Sequence, residues 1–370
     1  MDFQGVIRNV IYNPQVRKSA LRQYDLPDFN INTAKVSGIV RFDSDSSMGY
    51  SQWVSPKRTR SYPFARIYNT YHLPKRVTII PVIKDEGING DLDRINAITF
   101  SWMNLANVYI ILAYYDSAVA HSTRTGKITK QKLDARYIQN KLDEIRQYQQ
   151  TALHWNTLHF ERDFADVYMR AVNHYQRISL ETGVMLHDPR THEANLANYM
   201  LDGVFNIQAF KDASLPRSYL AARRELLTDH IHERLSDGDK AYFSIQNMLG
   251  GEYHLTADEV FLEDGVLIIQ ESKNSTRGKL PSLADIQDGL FKLLLFANMD
   301  ALYVDGVQMQ FRVQMKLTGN LIEQLRLPCE PETLMHYAKQ NSLSRGVKQT
   351  LDLLNLEAQH NARLEIVIHG

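Results

Sequence analysis

The chain contains one cysteine in 370 residues, Cys329. A lone thiol closes no intramolecular disulfide and completes no CxxC metal site, so a reduced, cytoplasmic setting is expected. Cys329 lies between Pro328 and Glu330 with no basic cluster beside it. Nothing in its neighbourhood prepares it as a nucleophile. Long apolar runs are also missing. The longest, Val108 to Tyr115 and Val266 to Ile269, fall far short of the roughly 20 residues that cross a bilayer. No membrane partner is expected. Met1-Asp2-Phe3-Gln4 shows no basic segment followed by an apolar one, so no signal peptide is expected either. Glycine and proline are scarce, at 18 and 11, beside 44% hydrophobic and 23% charged residues. That balance excludes a fibrous or disordered chain. Net charge is absent too, with 42 basic and 42 acidic residues.

The zero total hides an uneven distribution. Residues 1–80 carry twelve Lys and Arg against five Asp, a surplus of +7. Within that region Trp53, Lys57, Arg58, Arg60 and Arg66 interleave with Tyr62 and Phe64. Cations hold a phosphate backbone while aromatic faces and Arg forks touch bases, so these residues are candidate DNA contacts. Nucleic-acid binding needs a basic face, not a basic total.

The spacing predicts a strand over Val77–Ile83, which Pro81 demotes to an edge or a bulge. A turn at Gly87–Gly90, a short helix over about Asp93–Leu105 and a buried strand over Val108–Tyr115 follow. Asp85, Glu86, Asp91 and Asp93 crowd the turn. They could hold a hard cation, but their spacing matches no EF-hand loop. A solvated turn with a helix N-cap is the expectation. Between Gly126 and Gly183 there is neither Gly nor Pro. Apolar residues at helical spacing predict two long helices that break near Trp155–Leu158. His154, His159 and His174 lack an acidic partner at metal-site spacing and read as packed or interfacial. Further helices are expected near His192–Phe210 and Arg217–Leu235. Three regions result: 1–125 for DNA recognition, 126–210 as a dimer or DNA-clasping face, and 211–370 as a catalytic core.

The chemistry concentrates at 257–273. Asp264-Gly265 lies between two apolar strands, a strong signal for a two-residue type I′ hairpin turn. In that register Glu263 meets Val266, and Asp258 comes opposite Glu271. Period-2 alternation puts Lys273 on the face of Glu271. Two opposed carboxylates repel. A divalent cation gives them a reason to be there, since Mg²⁺ is held by one or two carboxylates plus substrate oxygens. Leu280-Pro281-Ser282 ends a polar loop, and Ser282 with Asp285 has the form of a capping box. A helix with an apolar face from Leu283 to Ala297 follows, then a strand over Val307–Met315.

Helix, hairpin, helix and strand in this order, with Asp258 on one strand and Glu271-Ser272-Lys273 on the next, resemble the PD-(D/E)XK nuclease superfamily. Many type II restriction endonucleases belong to it. The resemblance covers roughly residues 217–317. It implies a mixed α/β (α+β) fold with a restriction-endonuclease-like core around a mixed sheet. It also implies Mg²⁺ held by Asp258, Glu271 and the Ser272 carbonyl, with Lys273 as the catalytic ammonium. Gln287 with Phe291 is similar to a Gln-x-x-x-Tyr signature of some branches, and Glu225 or Glu233 stands where an upstream helical Glu assists in others. The expected activity is Mg²⁺-dependent, site-specific cleavage of double-stranded DNA by a homodimer. The competing readings are a non-specific defence or repair nuclease, and a DNA-binding module whose hairpin is structural.

Overall fold

A computed structural model describes residues 2–8, 21–53, 73–214, 239–247 and 252–370. The chain forms two compact units, residues 20–218 and residues 1–19 with 219–370. The division differs from the three regions expected. Position 125 falls in the loop of a hairpin, and the first strand of the chain, β1 (Phe3–Ile7), belongs with the C-terminal half. No helix among the described residues is long and apolar enough to cross a membrane.

The inserted unit, 20–218, begins with β2 (Gln23–Asp25), β3 (Ser37–Arg41), β4 (Ser47–Gln52) and β5 (Arg76–Pro81). Next come a small hairpin of β6 (Ile83–Asp85) and β7 (Leu92–Arg94), helix α1 (Ala97–Leu105) and β8 (Tyr109–Ala113). The main sheet runs β2-β3-β4-β5-β8. β5 is therefore interior, not an edge. Pro81 is tolerated because it is the last residue of the strand, and Val82 N–H takes the bond to Ala113 O. A hairpin of β9 (Tyr115–Ala120) and β10 (Ile128–Leu133) leads to α2 (Ala135–Gln147) and α3 (Ala152–Thr182). The break lies at 148–151, several residues before the one expected. There the Tyr148 N–H closes α2 on Ile145 O, and Thr151 caps α3 by accepting the His154 N–H. Lys75 satisfies the end of α2, donating to the carbonyls of Ile145, Arg146 and Tyr148 at 2.6–2.9 Å. The helix expected over His192–Phe210 is α4 (Pro189–Ala197), then a hairpin of β11 (Met200–Leu201) and β12 (Val204–Phe205), then helical residues 207–214.

Among the described residues, one edge of β8 has no strand beside it. Helix α3 supplies the missing bonds. Asn156 accepts from Ile110 N–H at 2.7 Å and donates to Val108 O, Trp155 donates to Ile110 O, and His159 Nε2 accepts from Leu112 N–H at 3.0 Å. These side chains close an exposed ladder that would otherwise invite another chain. His159 is 3% exposed and its Nδ1 donates to Asp163 at 2.7 Å. It is a packed histidine, as its spacing suggested.

Among the described residues, the second unit is built on one nine-stranded mixed sheet. Its remaining strands are β13 (Asp239–Asn247), β14 (Glu252–Glu263), β15 (Val266–Asn274), β16 (Ala301–Val304), β17 (Val307–Met309), β18 (Phe311–Thr318), β19 (Leu325–Leu327) and β20 (Leu364–His369). The order is β17-β16-β1-β13-β14-β15-β18-β20-β19. The strand expected over 307–315 is two, broken at Gln310. β15, β18 and β20 run parallel, joined by crossovers that carry α5 (Leu283–Ala297), α6 (Pro331–Gln340) and α7 (Arg345–His360). Ser282 caps α5 as expected, accepting the Asp285 N–H. Its buried face is Ile286, Leu290, Leu293, Leu294 and Ala297. β15 and β18 are central, and alternate residues of both face α5. The helix expected over 217–235 lies outside the described residues.

Candidate active site

Asp264 and Gly265 have φ of 49° and 80°, the positive pair that a type I′ turn requires. The turn sets the ladder, from Glu263 with Val266 through to Glu259 with Gln270. Gln270 also donates its side-chain amide to Glu259, both buried. The next pair, Asp258 with Glu271, does not form. On the other edge of β14, Ala241 pairs with Ala257 and Asp239 with Val260, so one residue of β13 faces two of β14, Asp258 and Glu259. This bulge takes Asp258 out of the ladder. Its carboxylate accepts the Ser272 N–H at 2.9 Å instead. Asp258 is thus tied to the residue after Glu271.

Glu271 is fully buried. Its Oε1 accepts from Lys292 Nζ at 2.9 Å. Its Oε2 is buried and has no hydrogen-bond partner among the described residues, and Lys273 Nζ stands 3.8 Å away. Lys273 also lies 3.5 Å from Asp288 Oδ2. Burial pushes the Glu271 carboxyl up to about 7. Lys292 and Lys273 oppose the rise, and the nearby Asp258 charge adds to it. A glycine lets the helix come this close. A Cβ at Gly289 would stand 2.7 Å from Met315 Cε and 3.1 Å from Lys273 Cε.

Asp258, Glu271 and Lys273 are therefore brought together, though not in the opposed arrangement expected. Asp288 and Lys292 join them from α5, and the sequence reading missed both. They lie one turn apart on either side of Gly289, and that i, i+4 pairing of opposite charge was the available signal. Gln287 is half-buried on α5 and makes no hydrogen bond to this cluster. A hard cation suits the donors. An unpartnered buried carboxylate oxygen is the acceptor that an ion would satisfy, and two carboxylates are an ordinary share of a Mg²⁺ shell. Among the described residues no group of three His, Cys, Asp or Glu is arranged to hold a metal.

Other expected residues fall elsewhere. Trp53 is 1% exposed, in the core of the inserted unit, so its indole has no open face on which a base could stack. Lys57, Arg58, Arg60 and Arg66, and Glu225 and Glu233, lie outside the described residues. The acidic turn is not a solvated one. Asp85 is fully buried and Asp93 is 4% exposed, while Glu86 bridges Lys84 at 2.7 Å and Lys127 at 2.6 Å. Helix α1 starts later than expected, and Asn96 rather than an aspartate caps it by accepting from Thr99 N–H. Cys329 is half-buried, and burial with the neighbouring Glu330 charge pushes its thiol up, away from thiolate chemistry. Comparison with protein-family models, curated proteins and solved structures gives no match.

Proposed function

We propose that the chain is a Mg²⁺-dependent endonuclease that hydrolyses phosphodiester bonds of double-stranded DNA. The closest description is a sequence-specific type II restriction endonuclease with a restriction-endonuclease-like core, acting as a homodimer. One observation carries this reading. Among the described residues the buried Glu271 carboxylate keeps one oxygen without a hydrogen bond, beside Lys273 and next to the bulged Asp258. Lys273 stands at ion-pair distance from that oxygen without hydrogen-bonding to it, and a buried acceptor left without a hydrogen bond costs about 1–3 kcal/mol.

Asp258, Glu271 and the Ser272 carbonyl would hold the ion, which when bound supplies Lewis-acid stabilisation and a more acidic water. The remaining work belongs to the side chains. The Asp258 bond to Ser272 N–H fixes the backbone at that carbonyl's residue. Lys292 occupies Oε1 of Glu271 and leaves Oε2 as the oxygen without a hydrogen bond. Asp288 holds Lys273 beside that oxygen, where an ammonium can orient water or stabilise charge on the phosphate. Lys57, Arg58, Arg60 and Arg66 would bind the DNA backbone.

Asp258→Asn, Glu271→Ala and Lys273→Ala should each reduce Mg²⁺-dependent plasmid cleavage by at least about 100-fold while DNA binding persists. Gel assays of cleavage beside filter binding decide it, and full activity in any one variant sinks the assignment. A second reading rests on the 2.9 Å Lys292–Glu271 pair, which favours a DNA-binding module with a structural hairpin. Binding without any cleavage of DNA or RNA under Mg²⁺ or Mn²⁺ would select it. Discrete fragments rather than a smear separate a site-specific enzyme from a non-specific defence or repair nuclease.

A further inference from the structure

Two ammonium groups stand against one buried carboxylate in the candidate site, and the proposed chemistry gives a reacting role to only one of them, Lys273. Lys292 comes from α5, one turn after Asp288. Its Nζ lies among oxygens, donating to Glu271 Oε1 at 2.9 Å and to the Thr256 carbonyl at 3.5 Å. A carboxylate oxygen and a backbone carbonyl are also the donors that a hard cation takes. The ammonium thus puts one positive charge where an ion would put two, and it does so on a tether.

The contact is built to be broken. Glu271 is fully buried, whereas the side chains of Lys292 and Lys273 keep 24% and 20% of their surface exposed. The carboxylate is therefore fixed, and both cations beside it stay in touch with solvent. Lysine carries a point charge on a flexible stem and lacks the planar fork that locks an arginine onto a carboxylate. One ammonium also leaves the work half done. Oε2 is buried without a hydrogen bond among the described residues. A divalent ion brings twice the charge and can take either carboxylate oxygen or both. The tether has another partner within reach. Asp288 lies four residues before Lys292 on the same helix, with a third of its side chain exposed. An acid four residues ahead of a lysine is the favourable order for a helical ion pair.

Resting on the metal-dependent reading of the site, we propose that Lys292 is a displaceable internal counter-ion. Its ammonium holds Glu271 while no ion is bound, and it leaves Oε1 for Asp288 when Mg²⁺ binds. Metal entry is then a cation exchange within the site, and the tethered charge sets how much Mg²⁺ that exchange requires. The 2.9 Å pair that would mark the hairpin as structural marks, on this account, the resting state of a metal site.

Ion binding is measured without DNA, so that cleavage plays no part. The full chain is titrated with Mg²⁺ and with Mn²⁺ by calorimetry at about pH 8, above the value of about 7 to which burial pushes the Glu271 carboxyl. Lys292→Met removes the charge and keeps a long unbranched side chain. It should bind both ions at least about tenfold more tightly than the parent. Lys292→Arg keeps the charge and should bind them no more tightly. A second measurement uses the parent alone and depends on no variant folding. Acetylation of Lys292 by a succinimidyl ester, followed by mass spectrometry, should run several-fold faster in saturating Mg²⁺, with the exposed Lys348 as the unchanged reference. Unchanged or weaker ion binding in Lys292→Met, or Lys292 acetylation that Mg²⁺ leaves alone or slows, overturns the proposal. Where the parent still binds Mg²⁺ and Glu271→Ala does not, such a result removes this inference and leaves the metal site standing. Binding of neither ion by the parent or by Lys292→Met removes both.

Discussion

Glu271 shows how burial and chemistry pull against each other at one residue. Its carboxyl is raised to about 7, so folding favours the protonated form. The sign follows from linkage. Its stabilising contribution is complete in acid and is lost as pH rises from the ordinary Glu range through 7. Glu271→Gln should therefore melt later than the parent above pH 8, by up to roughly 3 kcal/mol, and the gain should vanish near pH 4. Thermal melts across that range check it. His159 behaves in the opposite sense. Burial holds its imidazole below the usual value, with Asp163 opposing. Its contribution is present above about pH 6.5 and fades as pH falls and the ring must charge. His159→Gln should flatten that acid slope in melting curves between pH 7.5 and 5. None of this was legible from the residues alone. Glu271 and Lys273 could be found by their spacing, but the bond from Lys292 and the Leu112 N–H held by His159 depend on neighbours distant in sequence. Trp53 misled for a related reason. An aromatic in a polar, basic stretch resembles a contact residue, and only the sheet beside it makes it core.

Among the elements, the hairpin and helix α5 were the most legible. A type I′ turn is encoded by two adjacent residues, and the ladder from Glu263–Val266 to Glu259–Gln270 follows from it. The cap at Ser282 and the apolar face of α5 are equally local. The bulge at Asp258 was not legible, because it is imposed by β13 on the far edge of β14. The end of α2 was missed likewise, since its stop is completed by Lys75, which lies far off in sequence just ahead of β5. Gly289 links the helix to the site. An alanine there gains about 1 kcal/mol of helix propensity but meets Met315 and Lys273. Overpacking of this kind typically costs about 1–3 kcal/mol. Gly289→Ala should therefore change the melting temperature little and lower cleavage clearly, by moving Lys273. A parallel loss of both would mean that the glycine serves packing alone.

For the molecule as a whole, the zero net charge divides into a basic first eighty residues and an acidic remainder. If the basic stretch contacts phosphates, replacing Lys57, Arg58 and Arg60 with Gln should reduce the slope of log affinity against log salt by about three. An unchanged slope removes that stretch from the DNA interface. The mixed α/β architecture was legible from the alternation of helical and strand periods. The division into units was not, because nothing local in Phe3–Ile7 says that its partner is β13.

That pairing has a consequence in time. β1 lies between β13 and β16 inside the large sheet, third from one edge, yet about 230 residues separate it from β13 along the chain. At roughly 5–20 residues per second, β1 leaves the ribosome some ten to fifty seconds before the strand it must join. The inserted unit has that interval to fold by itself, while an apolar strand waits unpaired. The order of synthesis thus makes the large sheet, and the carboxylates it carries, the last part of this protein to exist.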